Sequence, residues 1–124
     1  RFRSLSRCPV QFQEQIHGAD WRVTVVGDVA FASETRSARL VRIVKAAEAL
    51  PRRFVERCIE STRVQGMVVS GIDVRVPPTG RPVVFEMNPF PLITHYEREE
   101  DPVISKELCR YLGRGRQSPA DMFA

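Results

Sequence analysis

The first quarter of the chain alternates apolar and polar residues in runs that predict β-strands. The runs PVQFQEQI (9–16) and WRVTVVG (21–27) both follow this pattern, and HGAD turns the chain between them. The dipeptide GD (27–28) is a two-residue hairpin signal that leads into VAFASETR (29–36). We therefore predict three consecutive strands in this region.

Residues 38–49 carry two conflicting patterns. The heptapeptide ARLVRIV (38–44) has the β-branched composition of a strand, whereas VKAAEAL (44–50) is rich in helix formers. The sequence leaves both structures open here.

Two later segments have the periodicity of helices. The first follows Pro51 and ends near Gly66, with a stripe at helical spacing made of Phe54, Val55, Cys58, Ile59 and Thr62. The second runs from about Pro102 to Leu112 and should pack through Val103, Ile104, Leu108 and Leu112. The acidic run EREED (97–101) precedes this last helix and is expected to favour its N-terminus electrostatically.

A second hairpin is predicted between the helices, with MVVSGIDVRV (67–76) and RPVVFEMN (81–88) joined by PPTG. If it folds symmetrically about Thr79 and Gly80, Asp73 lies directly opposite Glu86, with Cβ atoms roughly 5 Å apart. Asn88 shares the face of Glu86 at about 7 Å, because alternate residues of a strand point the same way. Three oxygen-bearing side chains therefore meet on one face of the hairpin.

Strands dominate the chain, so we predict an α+β fold: a mainly antiparallel sheet with two helices packed on it. The chain has 124 residues, of which 43% are hydrophobic, enough for the core of one domain. We place that domain at residues 9–113 and interpret 114–124 (RGRQSPADMFA) as a flexible tail.

Charge, hydrophobicity and cysteine content bear on whether the protein binds nucleic acid, crosses a membrane or is secreted. The net charge is +4 and most basic residues are arginine, which by itself does not predict nucleic-acid binding without a recognisable reader motif. No apolar run approaches the ~18 residues of a membrane span, and the first residues contain no signal-peptide core. The three cysteines are far apart and unpaired by spacing, which favours reduced thiols and a cytoplasmic protein. Because the chain begins at Arg1, we also expect it to be a piece of something longer.

The facing acids of the second hairpin need a positive partner, because like charges directly opposed across two strands are destabilising. Two carboxylates and an amide oxygen are hard donors, which suit Mg²⁺ or Mn²⁺ better than Zn²⁺. The alternative is that Arg75 or Arg81 pairs with Asp73 and Glu86 on a solvated sheet face. Spacing alone leaves both open.

The stretch GIDVR...GRPVVFEMNPFP resembles the metal-binding signature of the ATP-grasp superfamily, and FQEQIHGADWRVTVVGD is similar to its nucleotide-binding strand. The resemblance spans about residues 9–113 and matches the C-terminal half of an ATP-grasp domain. Its nearest types are the ribosomal-protein glutamate ligases and peptide-modifying carboxylate-amine ligases. It implies that Asp73, Glu86 and Asn88 hold two Mg²⁺ ions, or Mn²⁺, at the phosphates of ATP.

The resemblance also implies roles for residues of the first strands. Backbone groups of the adenine segment should reach the base edge, and this segment comprises Gln13, Glu14, Gln15 and Ile16. Asp20 should accept hydrogen bonds from the ribose hydroxyls. Arg22 and Arg36 are candidates to meet phosphate or an acyl-phosphate, because guanidinium matches both bidentately; surface salt bridges are the alternative for each.

The implied activity is that of an ATP-dependent carboxylate-amine ligase, which joins a carboxylate to the amine of an amino acid or peptide through an acyl-phosphate. Such an enzyme also has an earlier lobe with a glycine-rich flap and phosphate-binding lysines, and neither Lys45 nor Lys106 stands where those lysines belong. We therefore expect no turnover by this chain alone, unless an N-terminal lobe or a self-associated partner chain supplies the missing cations. The alternative is a non-catalytic nucleotide-binding module.

Overall fold

The computed structural model describes residues 9–37 and 39–114. The strands are β1 (Ala19–Val26), β2 (Val29–Arg36), β3 (Arg39–Lys45), β4 (Val69–Val76) and β5 (Val83–Asn88). The helices are α1 (Ala46–Ala49), α2 (Arg52–Val64), a short 3-10 helix (Ile93–His95) and α3 (Val103–Gly113). The strands form one antiparallel sheet in the order β3-β2-β1-β4-β5, which confirms the predicted α+β class.

Strand β1 is the centre of the sheet because its side chains are buried on both faces. Trp21, Val23 and Val25 face α1 and α2, as their alternation predicts. Val26 packs in a smaller cluster with Phe31 of β2 and the helix α3. A strand with this burial needs a neighbour on each side, and β2 and β4 provide them.

The predicted strand over residues 9–16 is wrong. These residues form no strand and are mostly exposed, and Phe12 is 84% exposed. An alternating segment forms a strand only where another strand lies beside it, because its backbone N–H and C=O groups otherwise bond to water. In the described part of the chain, no strand lies beside residues 9–16.

The ambiguous residues contain both predicted structures in succession. Strand β3 covers Arg39–Lys45 and the single turn α1 follows at Ala46–Ala49, while residue 38 lies outside the described ranges. The helix after Pro51 ends as predicted. In the last helix Leu112 is exposed rather than packed, and Tyr111 takes its place against the sheet. Of the predicted tail 114–124, Arg114 caps the end of α3, and residues 115–124 lie outside the described part.

The second hairpin confirms the predicted register and adds a β-bulge. Asp73 pairs with Glu86 and Gly71 with Asn88, but the register then shifts so that Val74 pairs with Val84. Phe85 is the extra residue of β5. A bulge re-aims side chains, and here Phe85 lies on the same face as Asp73 instead of turning toward α2.

No helix in residues 9–37 and 39–114 is long and apolar enough to cross a membrane.

Candidate functional site

A cleft of about 540 Å³ lies on the face of the sheet opposite α2. Its walls are the extended segment Gln13–Ile16, the polar side chains of β1 and β4, Thr35, Phe85 and Tyr96. The predicted adenine segment, Asp20, Arg22 and Asp73 all line this one cleft. Residues distant in sequence meet here because β1 pairs with β4.

Polar residues form a row across four strands of the sheet, and the two central members of this row line the cleft. Cross-strand pairing connects the row in the order Ser33, Arg22, Asp73 and Glu86. Side chains opposite one another on a sheet share a face and lie within reach of each other. Arg22 is therefore the cation beside Asp73, rather than Arg75 or Arg81 as the alternative interpretation supposed.

Arg22 is buried and incompletely satisfied. Its residue is 8% exposed, and its Nε lies 3.0 Å from Oδ1 of Asp73. Its Nη2 donates to the hydroxyl of Tyr96 at 3.2 Å, and its guanidinium carbon lies 4.6 Å from the centroid of that ring. The ion-pair contact with Asp73 lacks hydrogen-bond alignment, so Nε and Nη1 are buried donors without a hydrogen-bonded acceptor among the described residues. Unpaired donors on a buried cation favour an anionic ligand.

Gly71 makes room for this guanidinium. A Cβ atom built at Gly71 would lie 2.6 Å from Nη1 of Arg22 and 2.7 Å from Cβ of Pro91. Both distances are too short for any larger residue without movement. The glycine of the GIDVR motif therefore shapes the site by the absence of a side chain.

The pKa of Asp73 is raised above its ordinary value. Burial is the largest cause; the charge of Arg22 lowers the pKa, while a hydrogen bond to Glu86 and the charges of Glu86 and Asp20 raise it. The positive charge of Arg22 therefore does not fully offset the effect of burial and of the neighbouring carboxylates on the ionisation of Asp73. A further cation beside Asp73 would favour its ionised form.

Glu86 and Asn88, the other two members of the predicted triad, lie beside Asp73 on β5 but are not among the residues that line the cleft. Glu86 is exposed opposite Asp73, and Oδ1 of Asn88 accepts a hydrogen bond from the backbone N–H of Phe90 at 2.9 Å. Within the described residues there is no cluster of three or more His, Cys, Asp or Glu side chains that could hold a metal. Two facing carboxylates with an amide nearby nevertheless fit Mg²⁺, which takes one or two carboxylates and leaves other positions to water and phosphate.

The ribose candidate Asp20 is engaged by Arg75. Nε of Arg75 donates to Oδ1 of Asp20 at 2.6 Å, and Nη1 donates to the carbonyl oxygen of Ile16 at 2.9 Å. Asp20 remains half exposed toward the cleft.

The structure does not bring Arg36 to the cleft. Arg36 is exposed at the end of β2, cross-strand from Arg39, and it is absent from the cleft walls. Sequence reasoning in turn missed Tyr96 and Phe85. Tyr96 lies in an irregular loop without a recognisable motif, and Phe85 reaches the cleft only through the bulge.

No protein-family model matches this sequence, and no curated protein matches it. Solved structures do match. The macrocyclase MdnB from Microcystis aeruginosa shares 26% identity with a TM-score of 0.70, over 84% of this chain and 41% of that chain. A Chryseobacterium gregarium RiPP-associated ATP-grasp ligase, in complex with ADP and a leader and core peptide, shares 23% identity with a TM-score of 0.75, over 94% of this chain and 39% of that one.

The ATP-grasp ligase PsnB, complexed with a phosphomimetic variant of a minimal precursor, Mg and ADP, shares 22% identity with a TM-score of 0.69. That match covers 82% of this chain and 34% of the ligase. The chain therefore spans about two fifths or less of the length of the enzymes it resembles.

Proposed function

We propose that this chain, which has the fold of the C-terminal half of an ATP-grasp domain, supplies the nucleotide- and metal-binding half of an ATP-dependent carboxylate-amine ligase. The observation that carries the proposal is the cleft itself. It unites the predicted adenine segment, Asp20, Arg22 and Asp73 in about 540 Å³, a volume typical of small-molecule sites.

The two ends of the cleft fit the two ends of ATP. The backbone of Gln13–Ile16 would read the adenine edge, and Asp20 would accept from the ribose hydroxyls. Arg22 and Asp73 lie at the other end, where charged groups belong beside phosphates. Structures of the neighbour PsnB are complexed with ADP or AMPPNP, which supports nucleotide binding at a coarse level.

Asp73 and Glu86 would hold Mg²⁺, or Mn²⁺ in its place, and Asn88 would add its amide oxygen. We propose two ions, as the resemblance implies. When bound, the metal supplies charge compensation for the β and γ phosphates. The raised pKa of Asp73 supports this assignment, because burial makes the carboxylate costly to ionise even beside Arg22 and a metal ion would offset that cost.

The proposed reaction has two transfers. A substrate carboxylate oxygen attacks the γ-phosphorus and the bond to ADP breaks, which gives an acyl-phosphate. The nitrogen of an amine then attacks the acyl carbon, phosphate leaves, and an amide remains after loss of one proton from nitrogen. The unpaired donors of Arg22 would stabilise negative charge on the transferred group. The substrates are proposed to be peptides or amino acids, since the neighbours are complexed with precursor peptides.

A non-catalytic nucleotide-binding module is the second candidate. It is favoured by one observation: the chain spans about two fifths or less of the matching enzymes, so much of their structure has no counterpart here. The two candidates differ in whether adding a partner lobe, or a second copy of the chain, produces phosphate release.

Nucleotide and metal binding test the proposal directly. We expect ATP with Mg²⁺ at millimolar concentration to shift the NMR amide signals of residues 13–22 and 71–75. We expect Asp73→Asn and Glu86→Gln to weaken Mn²⁺ binding in the presence of nucleotide, whereas Glu100→Gln, an exposed acid outside the cleft, should not. The absence of any adenine-nucleotide effect on the cleft signals would refute both candidates.

Phosphate release separates the two candidates. We expect no turnover from residues 1–124 alone across a panel of amino acids and peptides, because phosphate-binding cations of a second lobe are needed. Metal-dependent turnover after addition of an upstream lobe would favour the ligase. Binding without turnover under the same conditions would favour the module.

A further inference from the structure

We propose that Arg75 is a positioning residue that fixes the adenine segment and Asp20 as one wall of the cleft. The consequence for nucleotide affinity rests on the proposed function, whereas the mechanical part of the inference does not. Arg75 would act through other groups rather than by touching the phosphates.

The guanidinium of Arg75 joins two separate parts of the chain. It is the cross-strand partner of Asp20, whose carboxylate it binds through Nε at 2.6 Å and Nη2 at 2.5 Å. Its remaining nitrogen, Nη1, donates to the carbonyl oxygen of Ile16 at 2.9 Å. One rigid, planar group thereby sets the distance between the adenine segment and the ribose acid.

The adenine segment has little else to hold it. In residues 9–37 and 39–114, no backbone–backbone hydrogen bond joins Gln13–Ile16 to the sheet, whose pairing begins at Ala19. The chain enters β1 through Gly18, where a Cβ would lie 2.3 Å from the carbonyl oxygen of Val76. The chain is therefore packed against β4 at Gly18, and the hydrogen bond from Arg75 to Ile16 holds the part of the segment that precedes this contact.

The β-bulge supports the orientation of Arg75. It turns Phe85 onto the cleft face, where the guanidinium carbon of Arg75 lies 5.6 Å from the ring centroid. Arg75 is also only about one third exposed. A half-exposed ion pair alone contributes little, but a guanidinium with three nitrogens engaged and a ring beside it loses less freedom on binding.

The substitution Arg75→Met tests the tether, with Arg81→Met as the matched control. Arg81 is exposed in the connection between β4 and β5 and lies outside the cleft. Arg81→Met therefore removes one positive charge, as Arg75→Met does, without removing a contact to the cleft wall. A glutamate-specific protease needs an extended, mobile substrate, so it should cleave after Glu14 faster when the segment is released from the wall of the cleft. We expect Arg75→Met to accelerate this cleavage about tenfold, as loss of one charge-assisted hydrogen bond predicts, and Arg81→Met to leave it unchanged.

Arg75→Lys keeps the positive charge but cannot form the planar fork, so we expect an intermediate cleavage rate. It also provides the comparison with the parent if Arg75→Met does not fold. Equal cleavage after Glu14 in the parent and the Arg75 variants would overturn the tether, whether or not any nucleotide binds.

Adenosine and ATP binding test the consequence. Arg75 acts at the end of the cleft proposed for the base and ribose. We therefore expect Arg75→Met to weaken the binding of adenosine and of ATP by the same factor, about tenfold. Unchanged adenosine affinity in a variant with faster cleavage would overturn the nucleotide-positioning role. If the parent binds neither adenosine nor ATP, the proposed function fails and the positioning of nucleotide fails with it, while the cleavage rates still decide the tether.

Discussion

Arg22 of β1 and Asp73 of β4 are direct cross-strand partners, and Nε of the arginine lies 3.0 Å from Oδ1 of the carboxylate. Glu86 lies on the other side of Asp73, so one carboxylate is placed between a cation and a second acid. The raised pKa of Asp73 shows that burial and Glu86 outweigh Arg22. Removing the charge of either neighbour should therefore change how easily Asp73 ionises.

Glu86→Gln should stabilise the metal-free protein. The variant removes a like charge opposite Asp73, an effect of up to about 1 kcal/mol that solvent screening reduces, because Glu86 is exposed. Thermal melts in the presence of a chelator measure it, with Glu100→Gln as the control. A lower melting temperature than the parent would contradict the account, and Mg²⁺ with nucleotide should reverse the order.

The same variant should change the pH dependence of stability. Because the pKa of folded Asp73 is raised above 3.8, the folded state binds more protons than the unfolded chain in the window above that value. Its contribution to stability therefore falls as pH rises through this window. Glu86→Gln removes two causes of the raised pKa, so the slope of unfolding free energy against pH should be shallower; an unchanged slope would contradict this.

Gly71→Ala should destabilise the protein by about 1–3 kcal/mol, the usual cost of overpacking. Its Cβ would collide with Nη1 of Arg22 and with Pro91. Gly113→Ala is the control, because nothing lies within 4 Å of a Cβ at that position. Denaturant unfolding compares the two variants, and equal midpoints would mean that Arg22 moves aside at no cost.

Glu97→Gln should destabilise the start of α3. The buried carboxylate accepts hydrogen bonds from the backbone N–H of Ile104 at 3.0 Å and of Ser105 at 2.9 Å, besides the Ser105 hydroxyl. Losing such a charged cap costs about 1 kcal/mol. Glu99→Gln, an exposed acid in the same loop, should have no effect, and chemical unfolding of both variants measures the difference.

Cys58 should resist thiol reagents that Cys109 accepts. Burial raises the pKa of the Cys58 thiol to about 11, whereas Cys109 is exposed, and both are free thiols. Labelling with iodoacetamide at pH 8, followed by peptide mass spectrometry, should modify Cys109 first. Rapid labelling of Cys58 in the folded protein would indicate frequent opening between α2 and the sheet.

Sequence-based predictions were correct where the interacting residues are close together in the chain and wrong where the interaction depends on a distant strand. The pairing of Asp73 with Glu86 was correct because a short hairpin fixes its register locally. The prediction of a strand at residues 9–16 failed because alternation cannot show whether a partner strand exists. The alternative that Arg75 or Arg81 pairs with Asp73 was wrong, because the partner is Arg22 and depends on which strands are neighbours.

The sequence by itself determined the α+β class, the two main helices, the facing acids of the second hairpin and the ATP-grasp resemblance. These features depend on periodicity and on residues close together in the chain. Only the tertiary structure decided that Arg22 lies beside Asp73, that Arg75 joins Asp20 to Ile16, and that Arg36 lies away from the cleft. The pairing of β1 with β4 brings together residues about fifty positions apart, and it arises from burial of the whole sheet rather than from any local pattern.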